Sequence, residues 1–290
     1  MILSASRRTD IPSYYSEWFM NRLEEGQVLT RNPMNYNQIR KINLNPEEIE
    51  CIVFWTKDPT NLMKYLARID SMGYHYYFQY TLNPYGKEIE RNIRHKKELV
   101  KTFQELSGRI GRERMVWRYD PIIINKELTI QYHVEHFEQL CRELQGHTKV
   151  CDFSFCDTYK KLRKEVKESM LSPVSGQDMR LVAKEFVAIG RKYEIELRAC
   201  CEQENLKEAG VRSAACIDGE LIESICGHSI SAKADRSQRA GCTCIQSVDI
   251  GVYNTCRHGC VYCYANHSDK SIMQNCLRHN PKAPLLIGEE

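Results

Sequence analysis

Seven short apolar runs recur along the chain, at residues 2–6, 51–55, 76–81, 115–119, 150–155, 195–199 and 247–253. Each ends in polar residues, and most are followed by an amphipathic stretch. Pro12 opens one such stretch, carrying Tyr15, Trp18, Phe19 and Leu23 at helical spacing and closed by Gly26. Further helices are expected over 60–72, 90–106, 130–144 and 175–193, and a hairpin or loop over 28–44. Strands alternating with helices are the pattern of parallel βα units. The runs are almost continuously apolar, as strands buried on both faces should be.

Recurrence at about 40 residues points to an α/β fold built as a (β/α) barrel, complete or partial. An open doubly wound sheet is the alternative, although the first βα turn has no glycine-rich phosphate loop. In a barrel the polar strand ends gather on one rim. That rim would collect Arg7, Arg8, Thr9, Asp10, Lys57, Asp58, Gln79, Asn83, Arg118, Asp120, Asp157 and Glu202. Any single Asp-Pro ending reads equally well as turn chemistry. Taken as a set, with cations beside most of the acids, these residues suggest a polar ligand pocket.

The 290 residues suffice for one large domain or two small ones. Residues 1–199 hold the βα repeats, and 200–290 form a Cys-rich region containing the last strand. A net charge of +3 is too small to argue for nucleic acid. No apolar run is long enough to span a membrane, and residues 1–8 do not read as a signal peptide. A cytoplasmic location is therefore expected. There, 14 cysteines imply metal or redox chemistry rather than disulfides.

Three of those cysteines, Cys256, Cys260 and Cys263, stand at spacing C-x3-C-x2-C just after the seventh run. Gly259 lets the backbone turn tightly between them. Three thiolates on a cubane iron–sulfur cluster leave one iron open to a small molecule. A structural zinc site normally takes four ligands, and disulfides would require export. Upstream, Cys200, Cys216, Cys242 and Cys244 are four thiols that could form a closed second site, either an auxiliary iron–sulfur cluster or zinc. Cys201 competes with Cys200 for that role. Cys51, Cys141, Cys151, Cys156 and Cys276 read as small buried hydrophobes. The cations of 233–239 either grip an anion or are solvated. His133 and His136 read as surface or satisfied core residues, and Leu285–Ile287 as a docked tail.

The cysteine stretch, with Tyr262 just before Cys263, resembles the cluster motif of the radical S-adenosylmethionine enzymes. That resemblance implies a 4Fe-4S cluster whose open iron chelates S-adenosylmethionine, which is cleaved reductively to a 5'-deoxyadenosyl radical. It also implies an electron donor such as a flavodoxin or ferredoxin. In that superfamily the motif follows the first barrel strand, whereas here it lies near the C-terminal end. A circular permutation would place the strand at 2–5 beside it. The superfamily's Gly-Gly-Glu segment on the next strand is missing, leaving Thr9 and Asp10 to replace its contacts.

Over nearly its full length the chain resembles the "domain of unknown function 1848" family. The matching stretches are Ser-Ala-Ser-Arg-Arg-Thr-Asp-Ile-Pro from Ser4, Val-Phe-Trp-Thr-Lys-Asp-Pro from Val53, Thr-Leu-Asn-Pro-Tyr-Gly from Thr81 and Trp-Arg-Tyr-Asp-Pro-Ile from Trp117. Cys216-Ile217-Asp218, Gln238-Arg239, Cys242-x-Cys244 and the block from Asp249 to Asn266 complete them. The family implies a C-terminal cysteine cluster and supplies no established reaction.

The expected function is thus an iron–sulfur enzyme with radical S-adenosylmethionine-type chemistry on an unknown small-molecule or macromolecular substrate. Cys256, Cys260 and Cys263 would hold the catalytic cluster, and Arg7, Arg8, Thr9, Lys57 and Tyr262 would bind the cofactor. Asp10, Arg118, Asp120 and Glu202 are the candidates for catalysis. The rival readings are a redox sensor without turnover and a zinc-stabilised barrel acting on nucleic acid. Aromatics and cations interleaved at the rim, Trp55 and Trp117 among them, favour the latter, and the charge does not.

Overall fold

The computed structural model describes residues 1–156, 174–200, 202, 206–239 and 241–288. Its principal sheet contains β1 (Ile2–Ala5), β4 (Cys51–Thr56), β5 (Tyr76–Thr81), β6 (Met115–Ile122), β7 (Val150–Phe155), β8 (Glu196–Ala199), β9 (Arg212–Ser213) and β10 (Val248–Asp249). The expected hairpin is β2 (Gln27–Asn32) paired antiparallel with β3 (Asn35–Asn43).

The eight strands run parallel in the order β10-β1-β4-β5-β6-β7-β8-β9. The order never reverses, as a doubly wound sheet would require. Nor does it close. Among the described residues β9 and β10 remain unpaired edges, so a complete barrel is not formed. Both edges are two residues long, too short to stitch the sheet into a ring. The seventh run, read as a strand over 247–253, pairs only through Leu3↔Val248 and Ser4↔Asp249. That pairing nonetheless puts the last strand beside the first.

Strand side chains alternate between two faces with period two. One face carries Leu3, Ala5, Ile52, Phe54, Phe78, Trp117, Tyr119 and Phe153, and buries them under helices Ser16–Glu24, Lys96–Ile110, Ile130–Leu144 and Gly176–Lys192. There Trp117, Phe137 and Phe186 stack in series, with ring centroids 5.1 and 3.8 Å apart. The other face carries Ile2, Val53, Tyr77 and Val116. It is covered by Cys200, Ala214, Cys216, Ile217, Ile222 and Cys244 of the Cys-rich region. Cys200, Cys216 and Cys244 therefore belong to the core of the sheet's second face, with Cys226 and Cys242 packed against it.

Helix Ile130–Leu144 lies where expected, capped by Thr129 Oγ1 accepting from Tyr132 N at 3.1 Å. Ser175 caps Gly176–Lys192 in the same way. The helix expected over 60–72 is a 3-10 turn, Leu62–Lys64, followed by Leu66–Ser71. The helix expected from 90 begins only at Lys96, because residues 86–93 are bound to the cysteine loop instead. No helix among the described residues is long and apolar enough to cross a membrane.

Candidate functional site

The cysteine loop leaves the C-terminal end of β10 and packs against residues 86–93. Val261 N donates to Ile89 O at 3.0 Å and Asn92 N to His258 O at 3.0 Å, while Asn92 Nδ2 donates to Arg257 O at 2.7 Å. Gly259 sits at φ +67°, and a Cβ there would meet Asn92 Nδ2 at 3.0 Å. Glycine is thus required both by the turn and by the close approach. Cys256, Cys260 and Cys263 are all partly buried.

Two buried polar groups hold this loop to the rim. In the first, His258 Nε2 lies 2.7 Å from Asp10 Oδ2, and its Nδ1 lies 2.9 Å from Tyr14 Oη. Asp10 also accepts from Ser13 N at 3.0 Å and Lys57 N at 2.8 Å, so both its oxygens are engaged. In the second, Lys57 Nζ donates to Glu90 Oε1 at 2.8 Å and to Tyr262 Oη at 2.7 Å. Lys96 and the Tyr262 hydroxyl also donate to Glu90. Burial alone would raise the Glu90 carboxyl, but Lys57 and Lys96 overcome it and hold the group at about 2. Asn83 Nδ2 reaches Tyr262 Oη at 3.2 Å and Asp120 O at 2.9 Å.

The three loop thiols are pushed up by burial, Cys260 to about 12. They would shed their protons only to a metal that replaces that charge. Three partly buried cysteines on one tight loop are, by their chemistry, a donor set for a cluster held from one side. Among the described residues, no three His, Cys, Asp or Glu side chains are drawn together tightly enough to hold a single metal ion.

The second cysteine group is partly drawn together. Cys200 Sγ and Cys216 Sγ are 3.2 Å apart. Cys244 Sγ accepts from Ile217 N at 3.4 Å, and its thiol is pushed up by the neighbouring Cys216 thiol and by burial. The sheet's second face supports the set. Tyr77 Oη and Gln79 Nε2 donate to the Cys216 carbonyl at 2.8 and 2.9 Å, and Arg118 Nη1 lies 3.1 Å from Cys216 Sγ. Hydrogen bonds from Cys200 and Cys244, with the Arg118 charge, push the Cys216 thiol well down. By their chemistry Cys200, Cys216, Cys242 and Cys244 are a donor set of the kind a thiolate-bound metal takes, with the Arg118 cation beside Cys216.

The other rim residues separate by how fully they are bonded. Arg8 is tied to Gly251 O at 3.3 Å. Arg118 is paired with Asp120, whose second oxygen accepts from Ser154. Glu202 Oε1 accepts Phe155 N at 2.8 Å, extending β7. Arg7 and Thr9 are different, because Arg7 Nη2 and Thr9 Oγ1 are buried without a partner. Asp157 and Cys201 lie outside the described residues.

Several contributors were not singled out from sequence. His258 sits inside the motif and Glu90 in a segment read as helix. Asp249 joins β10 to β1 by accepting from Ser4 Oγ, Ser6 Oγ and Arg7 N at 2.9, 2.6 and 2.8 Å. On the second face Asp152 accepts from Arg198 Nε at 2.7 Å, and burial raises its carboxyl to about 6. The spacing signal for His258 was present, since it lies midway between two cysteines. His133 is a satisfied core histidine, 2.9 Å from Tyr119 Oη and 2.8 Å from Ile123 O. Lys233 and Arg236 are exposed and line an open groove of about 800 Å³ with Met1, Arg40 and Glu50.

Residues 2–265 match the family described as "Domain of unknown function (DUF1848)", and the chain belongs to that family. No curated protein and no solved structure matches it.

Proposed function

We propose that the chain is an iron–sulfur enzyme of the radical S-adenosylmethionine type, with its barrel opened and circularly permuted. The observation that carries this reading is the parallel pairing of β10 with β1, since the C-x3-C-x2-C loop then leaves the C-terminal end of a strand beside the first one. Cys256, Cys260 and Cys263 hold the open-iron cluster, and Cys200, Cys216, Cys242 and Cys244 hold an auxiliary one. A reduced cluster with an open iron supplies a chelation point for S-adenosylmethionine and the electron that cleaves its sulfonium. The chain's own residues hold that loop still through Asp10–His258 and Lys57–Glu90–Tyr262, and Arg7, Thr9 and Arg118 supply polar groups for the cofactor and substrate. Electrons come from a small redox protein. The substrate is bound at the same rim.

The test is anaerobic incubation of reduced protein with S-adenosylmethionine. The reading expects slow release of 5'-deoxyadenosine, abolished in Cys260→Ala. Protein that binds iron but releases none of this product supports instead a redox sensor without turnover. That second reading rests on the 3.2 Å contact between Cys200 and Cys216 sulfurs.

A further inference from the structure

Trp55 and Arg7 leave two buried N–H donors without acceptors on adjacent strands. Arg7 stands just beyond the end of β1 and Trp55 near the end of β4, and β1 pairs with β4. The Arg7 guanidinium carbon lies 5.2 Å from the Trp55 ring centroid, and that of Arg118 lies 5.3 Å from the same ring. Arg118 spends its donors on Asp120, Gln79 and Cys216. Arg7 Nη2 and Trp55 Nε1 spend theirs on nothing. Thr9, only 5% exposed, adds an unpartnered hydroxyl on the same turn as Arg7.

Buried donors are almost always satisfied, and an indole N–H removed from water finds a partner as a rule. Among the described residues no ion pair joins the Arg7 guanidinium to a carboxylate. The negative groups that raise it are Cys244, Cys216 and Asp249, all acting at a distance. A partly buried cation beside an indole donor and a hydroxyl is a receptor for an oxygen anion. The backbone around it is fixed, because Asp249 accepts Arg7 N and Arg7 O accepts the Tyr264 hydroxyl at 2.7 Å.

We infer an oxyanion subsite formed by Arg7, Trp55 and Thr9 between the two cysteine groups, which takes a carboxylate or phosphate of a bound ligand. It rests on protein donors and not on the identity of either metal. Thr9 adjoins the start of the cysteine loop, since its Cγ2 would lie 3.3 Å from a Cβ on Gly251.

The experiment is calorimetric titration of anaerobically purified protein with inorganic phosphate, with and without saturating S-adenosylmethionine. Trp55→Phe keeps an aromatic face beside Arg7 while removing the N–H together with the pyrrole part of the indole. Thr9→Val removes only the hydroxyl, and Arg7→Met removes the charge. Phosphate is expected to bind wild-type protein and to bind Trp55→Phe and Arg7→Met about tenfold more weakly, as loss of one charge-assisted bond implies. Loss of phosphate binding when S-adenosylmethionine is present assigns the subsite to the cofactor carboxylate. Undiminished binding assigns it to a separate substrate anion. Failure of phosphate to bind, or equal binding by wild-type and variants of unchanged circular dichroism, overturns the subsite. Iron content measured on the same samples separates that failure from failure of the cluster assignment.

Discussion

His258 Nε2 lies 2.7 Å from Asp10 Oδ2, and the two side chains are 4% and 6% exposed. This pair locks a residue between two motif cysteines to the end of the strand next to it in space. Asp10 is thereby a positioning residue, with its other contacts on Ser13 N and Lys57 N. Asp10→Ala should strip a buried acceptor from three donors and destabilise the protein by about 3 kcal/mol or more. Denaturant unfolding checks the stability. Loss of iron from the loop at otherwise native circular dichroism checks the positioning role.

The two cysteine groups should load independently. Cys260→Ala and Cys216→Ala are each expected to retain about half the iron of wild-type protein, as one of two clusters of the same kind is lost. The double variant should retain almost none. Iron and sulfide analysis of the three proteins decides this. Full iron in Cys260→Ala would remove the loop from the metal assignment.

Glu90 gives the stability a defined pH dependence. Its folded value of about 2 lies below a glutamate's ordinary 4.5, so its ionisation stabilises the protein fully above pH 4.5. The contribution, on the order of 3 kcal/mol, should fade as pH falls from 4.5 toward 2. His133, lowered to about 4 chiefly by burial, acts in the same direction between 6.5 and 4. Asp152, raised to about 6 by burial, opposes it, because its burial costs stability as pH rises through 3.8 to 6. Glu90→Gln should therefore flatten the decline below pH 4.5, as read from denaturation midpoints across pH, while lowering stability at pH 7.

Gly251→Ala should disrupt the junction of β10 and β1. A Cβ at Gly251 would fall 2.0 Å from Ser6 Oγ and 2.6 Å from Ser6 Cβ. Overpacking of this kind costs about 1–3 kcal/mol. At Gly241, with nothing within 4 Å of a new Cβ, the alanine cost comes from its φ of +80° alone. Thermal unfolding of both variants should show the larger loss at Gly251.

Much of this architecture was readable from sequence. The apolar runs at 76–81 and 150–155 became β5 and β7 because both faces of these strands are buried, which removes any ambiguity of period. Helix 130–144 was legible from its strong amphipathic pattern. What failed were segments whose conformation is set by distant partners. Residues 90–95 have helical composition, yet their backbone and side chains bond the cysteine loop more than 160 positions away. The strand at 247–253 stops after Asp249 because Asp249 turns its carboxylate onto β1, and Gly251 N then bonds back to it. Cys200, Cys216, Cys242 and Cys244 were singled out from ligand count, but the placement of Tyr77, Gln79 and Arg118 beside Cys216 was not legible. Those residues alternate onto a face that no local pattern reveals to be covered by residues 214–244.

Electron paramagnetic resonance of dithionite-reduced, anaerobically prepared protein, recorded with and without S-adenosylmethionine, tests the central claim most directly. The account predicts a reduced iron–sulfur signal that changes shape when S-adenosylmethionine is added and loses that response in Cys260→Ala. A protein rich in zinc with no cluster signal would contradict it.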